Sequence, residues 1–245
     1  MELFFKYSLN SKFSIFGKFY SDMNITAEKI LERPDAQLLI NRASYLLSYE
    51  NEKRRNFREW LDEDKKAEFI NGEVVMHSPV KRKHWKASGL LSRLLSIFTS
   101  INDLGEIAVE KALIALTRND YEPDICFFNK EKSQEFTDDQ IIFPAPDFVV
   151  EILSKSTAKN DKGIKHKDYA AHGIKEYWII DPNRKSIDQF ILVGNDSEYM
   201  PAKTHLYDQD IRSFVLKDFE IPVASIFDEK VNKEILQKLF SSKLN

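Results

Sequence analysis

The sequence predicts an α/β fold, and three observations carry that prediction. Between residues 83 and 101 apolar side chains recur at helical spacing, with Ala87, Leu91, Leu94, Phe98 and Ile101 on one stripe. Short runs rich in β-branched and aromatic residues, among them "DICFF" (124–128), "DFVVEIL" (147–153) and "KEYWIID" (175–181), are bounded by turn residues. Finally, 245 residues that are 42% hydrophobic suffice for one well-packed domain with extensions, or at most two small ones.

Taken in order, residues 1–27 are polar and aromatic without a clear period, and an irregular extension is expected there. A helix follows over 38–61, with Leu39, Ala43, Leu46, Leu47, Phe57, Trp60 and Leu61 at helical spacing and a charged middle, "YENEKRRNFRE". This divides the chain into an N-terminal helical extension, 1–60, and a main domain, 61–245. Asn71-Gly72 marks a tight turn leading into a short strand that Pro79 ends. After the helix over 83–101, "GEIAVEKALIAL" supplies two strands or one bent strand, "RNDYEP" a turn, and "DICFF" the next strand. The polar stretch 129–140 reads as a loop before the strand at 147–153. Residues 155–173 give a loop and then a helix stopped by Gly173, followed by strands at "KEYWIID" and "SIDQFIL" and a final helix near 229–240.

Charge and cysteine usage narrow the function. A net charge of −3 gives no overall basic field, so a nucleic-acid site would rest on a local basic patch or on metal ions. One cysteine, Cys126, excludes an intrachain disulfide and fits a cytoplasmic setting; its alternation with Ile125 and Phe127 suggests a buried thiol. No run approaches the ~20 apolar residues that span a bilayer, and the first twenty residues hold no apolar run of signal-peptide length. The five histidines form no HExxH or Cys-supported zinc pattern, and no phosphate-binding glycine motif is present.

The strand "DFVVEIL" carries the chemical clue. Side chains alternate along a strand, so Asp147, Val149, Glu151 and Leu153 share one face, and two carboxylates on such a strand are costly unless something pairs with them. The partner is a cation on the chain, a metal ion or water. Asp124 opens "DICFF" behind Pro123 and shares a face with Cys126 and Phe128. If these strands are neighbours, Asp124 and Glu151 converge, and paired hard oxygen ligands suit Mg²⁺ or Mn²⁺.

In their order along the chain, "EFINGEVVMHSP" with the following His84, "EPDICFF", "PAPDFVVEILSKST" and "DKGIKHKDYAAHGIKEYWIIDP" resemble the PD-(D/E)XK nuclease superfamily. Within it they resemble most closely the Uma-two family of restriction-endonuclease-like proteins. The resemblance runs from about Glu68 to Asp181, and more weakly to Phe227. It implies a central mixed sheet flanked by helices, a Mg²⁺- or Mn²⁺-dependent endonuclease, and DNA as partner. Carried over residue by residue, it implies Asp124 and Glu151 as metal ligands, with an acid beside the Asn71-Gly72 turn, Glu68 or Glu73, completing the shell. Glu68 is preferred because it precedes the apolar Phe69-Ile70. The superfamily lysine is absent two residues after Glu151, where Leu153 stands, and Lys165 occupies the position to which the family's lysine has moved. Asp161, Lys165 and Tyr169 stand at i, i+4 and i+8, one helix face; an ordinary Asp161–Lys165 helix pair is the other reading.

His84, on the packed stripe of its helix, is a candidate for proton transfer or phosphate contact, or else a structural histidine. Lys81, Arg82, Lys83 and Lys86, around Trp85 at the same helix start, form the expected DNA-backbone patch. Asp147 is expected to be solvated or to stand behind the ligands, and Trp178 to serve hydrophobic packing. Two alternatives remain beside the nuclease: a catalytically inactive nucleic-acid-binding module on the same fold, and an interaction protein forming a homodimer through the N-terminal helix.

Overall fold

A computed structural model describes residues 27–62, 64–110, 112–194 and 196–241. The irregular extension expected over 1–27 therefore lies, apart from Ala27, outside the described residues. The chain divides into two units, Met1–Tyr49 and Glu50–Asn245. In the first, the described residues include the start of helix α1 (Ala36–Trp60), whose Leu38, Leu39, Tyr45, Leu46 and Leu47 are all exposed.

The second unit is built on a six-stranded mixed sheet. Its strands are β3 (Gly105–Val109), β6 (Ile125–Asn129), β8 (Phe148–Ile152), β9 (Glu176–Asp181), β10 (Ser186–Ile191) and β11 (Lys203–His205). Their order across the sheet is β11-β10-β9-β8-β6-β3, with β8 and β9 parallel and the other pairs antiparallel. A parallel pair needs a crossover connection. Here the connection is a helical segment running through Ala158–Asn160, a π turn at Asp161–Lys165 and His166–Ala171.

β8 is buried along its whole length, as the near-continuous apolar run requires. Phe148, Val150 and Ile152 join the core formed with Leu91, Leu94, Leu95 and Phe98 of helix α2 (Arg82–Asn102) and with Trp178 of β9. Val149 and Leu153 join the opposite core with Cys126, Phe128, Tyr169 and Tyr177. The face assignments read from the sequence thus hold, and Trp178 and Cys126 are packing residues. Burial, with Glu151 nearby, pushes the Cys126 thiol up.

A second sheet, of order β2-β1-β5-β4-β7, contains β1 (Ala67–Ile70), β2 (Glu73–Met76), β4 (Leu113–Ala115), β5 (Asp120–Tyr121) and β7 (Ile142–Phe143). Asn71 and Gly72 connect β1 to β2 with φ of 51° and 83°, the left-handed pair that a two-residue hairpin turn requires. Arg54 of α1 anchors this sheet: it donates to Asp120 and to the carbonyls of Leu116, Thr117 and Asn119. Of the apolar positions expected to form a stripe on this helix, Phe57 is buried in a cluster with Ala67, Phe69 and Leu113, whereas Trp60 is exposed. Within 129–140, read as loop, Lys130–Ser133 forms a helical turn capped by Asn129, whose side chain accepts from the Lys132 N–H at 2.9 Å.

At the C-terminal side, β12 (Asp210–Arg212) and β13 (Glu220–Pro222) form a hairpin, and the final helix is Glu229–Ser241. No helix among the described residues is long and apolar enough to cross a membrane.

Candidate active site

β6 and β8 are neighbours. Their antiparallel register pairs Ile125 with Val150 and Cys126 with Val149; extended by one residue, it sets Asp124 opposite Glu151. The condition on which their convergence depended is therefore met. Asp124 Oδ2 accepts the Ile152 N–H at 2.7 Å, which ties the start of β6 to the end of β8. His84, in the first turn of α2, brings Nε2 to 3.3 Å from the same oxygen. Burial alone would raise the Asp124 carboxyl, but His84, the Ile152 N–H and Lys66 hold it below its usual value.

The helical crossover carries Lys165 into the same region. Its Nζ is 2.9 Å from Glu151 Oε1, 2.7 Å from Glu68 Oε1 on β1 and 3.5 Å from Asp161 Oδ1, with the Tyr121 ring centroid at 5.6 Å. Tyr169 OH donates to Glu151 Oε1 at 3.0 Å. Asp161, Lys165 and Tyr169 do form one face, as their spacing indicated, but the face is interior: Lys165 is 1% exposed and Asp161 0%. A solvated helix pair does not describe it. The i→i+5 hydrogen bonds of a π turn widen the helix at this point, a distortion that recurs at functional sites.

The electrostatics of the cluster are lopsided. Glu68, Glu151 and Asp161 are buried around the ammonium of Lys165, and Asp124, also buried, stands at the wall of the same cavity. Burial would lower the Lys165 pKa, and Glu151, Glu68 and Asp161 more than reverse that. For Glu68, burial raises and Lys165 with His77 lowers, leaving the carboxyl at about 2. Glu151 goes the other way: burial pushes it well above the carboxylate range, Lys165 opposes this, and the anions of Asp161, Asp124 and Glu68 push it further. Asp161 is raised too, by burial first and against Lys165. The region thus carries more anionic capacity than Lys165 neutralises, and Glu151 retains a proton to higher pH than an ordinary glutamate.

A cavity of about 310 Å³ opens onto this cluster, lined by Glu68, His77, His84, Asp124, Glu151 and Thr157 among others. Among the described residues no three His, Cys, Asp or Glu side chains converge as a metal-ligand group. Two carboxylates facing one cavity still fit a hard divalent cation, since Mg²⁺ is commonly bound by one or two carboxylates plus water and phosphate oxygens.

The remaining candidates fall around the site. Glu73, the alternative to Glu68, is exposed and 3.2 Å from Lys53. Lys81, Arg82 and Lys83 are exposed at the start of α2 and Lys86 is half-buried; Arg82 lies 5.9 Å from the Trp85 ring centroid and Lys83 bonds Asn183. Asp147 is neither solvated nor beside the cavity. It is buried, accepts the Asn129 N–H at 3.0 Å and pairs with Lys132 at 3.1 Å, fastening the far end of β8. Sequence reasoning missed His77, whose Nε2 is 3.5 Å from Glu68 Oε2, and a lone histidine after a short strand gave no signal.

Comparison with known proteins agrees with this architecture. Residues 54–224 match the profile of the Uma2 family, described as "Putative restriction endonuclease". An uncharacterized protein of Synechocystis sp. is 31% identical over 135 residues, 53% of this chain and 74% of that protein. A crystal structure of a putative nuclease from Anabaena variabilis superposes with a TM-score of 0.61 at 16% identity, covering 70% of this chain and 94% of the other, which establishes a shared fold. With the profile extending over well above half of its residues, the chain belongs to the Uma2 family of putative restriction endonucleases.

Proposed function

We propose that this protein is a Mg²⁺- or Mn²⁺-dependent endonuclease that hydrolyses DNA phosphodiester bonds. The observation that carries this reading is the buried acid cluster around Lys165, set against Asp124 at the wall of one cavity. Asp124 and Glu151 are the ligands. A divalent ion held by these two carboxylates would supply an activated water and charge neutralisation at the phosphoryl group. Tyr169 and Lys165 orient Glu151 through Oε1, while the Ile152 N–H and His84 fix Asp124 through Oδ2. The Lys165 ammonium, 2.9 Å from Glu151 Oε1, acts from behind that ligand: it fixes the carboxylate, and its positive charge favours the added negative charge of the transition state. Lys81, Arg82, Lys83 and Lys86 hold the DNA backbone, so binding weakens steeply with salt.

The test is a cleavage assay on mixed DNA substrates with Mg²⁺, with Mn²⁺ and with chelator. Cleavage that depends on the ion and is lost in Asp124→Asn supports the reading. If Mn²⁺ binds and nothing is cleaved, the inactive binding module takes its place.

A pH-linked result is expected as well. Because Glu151 holds its proton above the usual carboxylate range, Mn²⁺ binding should strengthen as pH rises and should release a proton. Calorimetry in buffers of different ionisation enthalpy measures that release; no proton released would remove Glu151 from the site. Glu151→Gln should abolish Mn²⁺ binding yet leave stability equal or higher. The sign follows from the raised folded-state pKa, which means that the wild type loses stability as pH rises through it.

The exposed apolar residues of α1 are assigned, in the same reading, to homodimer formation. Polar replacement of Tyr45, Leu46 and Leu47 should change the sedimentation coefficient and leave melting unaltered. Unchanged sedimentation would free this helix from that role.

A further inference from the structure

Lys165 is held by more carboxylates than catalysis alone would ask for, and the way each is bonded separates them into two groups. An ammonium has three N–H donors, and Glu68, Glu151 and Asp161 stand around this one at 2.7, 2.9 and 3.5 Å. Glu68 Oε1 accepts from Lys165 and from the Glu122 N–H at 3.0 Å, and Oε2 lies 3.5 Å from His77 Nε2, an ion-pair contact when that histidine is protonated and not a hydrogen bond. To bind a metal ion through Oε1 it would have to give up one of that oxygen's partners. Asp161 belongs to the same π turn as Lys165, is completely buried and is not part of the cavity lining. Asp124 and Glu151, by contrast, take the bonds described above on one oxygen each; they line the cavity, as Glu68 also does.

We propose that Glu68 and Asp161 are positioning residues for the Lys165 ammonium, and that the protein supplies the divalent-ion site through Asp124 and Glu151 alone. This rests on the nuclease reading for the ion and stands independently of it for the lysine. It changes the role of the hairpin β1–β2: the strand carries the clamp of the cation-bearing side chain. It also explains why a lysine carried on a helix can replace one carried on the strand. A strand lysine would be fixed by the sheet, whereas Lys165 arrives on a crossover and needs anchors from a second sheet and from its own turn.

The experiment uses the full chain with Glu68→Gln, Asp161→Asn and Asp124→Asn, read by Mn²⁺ calorimetry and by hydrogen exchange of the Lys165 ammonium in ¹⁵N NMR. Glu68→Gln should weaken Mn²⁺ binding by no more than about tenfold, as loss of a group behind the ligands does, whereas Asp124→Asn abolishes it. The Lys165 ammonium should exchange at least about tenfold faster in Glu68→Gln, because a salt-bridged donor has been released. Where cleavage is measurable, kcat falls with KM unchanged. Loss of Mn²⁺ binding in Glu68→Gln equal to that in Asp124→Asn overturns the proposal, and so does unaltered ammonium exchange. Should Glu68→Gln fail to fold, Asp161→Asn carries the same two readouts. A wild type that binds no Mn²⁺ defeats the metal-dependent function, while ammonium exchange still decides whether Glu68 positions the lysine.

Discussion

Lys165→Ala is expected to be the most damaging single change to the site, in stability and in activity together. Removing the ammonium leaves Glu68, Glu151 and Asp161 buried without their cation, a break of the kind that costs about 3–5 kcal/mol. The loss should depend on pH in a defined direction. Glu68 has its folded-state pKa depressed to about 2, so its contribution is present above the unfolded carboxylate value and is lost as pH falls toward 2. In the variant that depression disappears, and the carboxyls take up protons instead. The deficit relative to wild type should therefore be largest near neutral pH and shrink in acid. Urea unfolding at pH 7.5 and pH 5 measures it, and a deficit below about 1 kcal/mol at both would reduce Lys165 to the value of a surface pair. Cleavage, in the function proposed, should fall by roughly 10²–10³. Lys162→Ala, exposed on the same turn, should stay near wild type in both measurements.

The second large effect lies away from the cavity. Glu176, at the start of β9 and 0% exposed, accepts five hydrogen bonds. Trp178 Nε1 and Gln189 Nε2 donate to Oε1, each at 2.7 Å. Ser213 Oγ at 2.6 Å and the N–H groups of Phe214 and Val215, each at 2.9 Å, donate to Oε2. It is the node joining β9, β10 and the loop between β12 and β13. Glu176→Ala leaves five buried donors without their acceptor, and about 3–5 kcal/mol of destabilisation is expected. Glu176→Gln should be nearly as harmful, because its amide turns a donor toward donors. Neither should alter Mn²⁺ affinity in the folded fraction, and a change there would mean that the pin reaches the cavity.

What the sequence disclosed follows from the range over which each signal acts. Glu151 and Asp124 stood out because a carboxylate inside an apolar, period-two run is anomalous on a purely local view. The Asp161, Lys165 and Tyr169 face was legible for the same reason, since helix spacing is local. Its interior position was not, because the burying surface comes from β1 and β5, and β5 and β7 are two residues each, too short to show a period. Glu176 escaped notice although it sits in "KEYWIID". Apart from Trp178, its donors come from 189 and 213–215, and nothing near it in the chain announces them. The apolar stripe over 38–61 illustrates the opposite error. Periodicity established the helix, but whether a stripe is covered depends on what stands against it, and at Leu39, Leu46, Leu47 and Trp60 it is exposed.

Cys126 gives the seam between β6 and β8 a gauge of its own. It is the sole thiol in the 245 residues, buried at the register position opposite Val149, with its ionisation suppressed. Electrophiles attack thiolates, so alkylation there has to wait for the two strands to part. The labelling rate, divided by that of the unfolded chain, then reports the opening equilibrium of the very pair that brings Asp124 against Glu151. An ion bridging those carboxylates would keep the strands shut by mass action, by about 2.7 kcal/mol at a hundredfold excess over Kd. Slower alkylation in Mn²⁺ is thus a reading of the ion taken from the backbone, with neither substrate nor turnover in the tube.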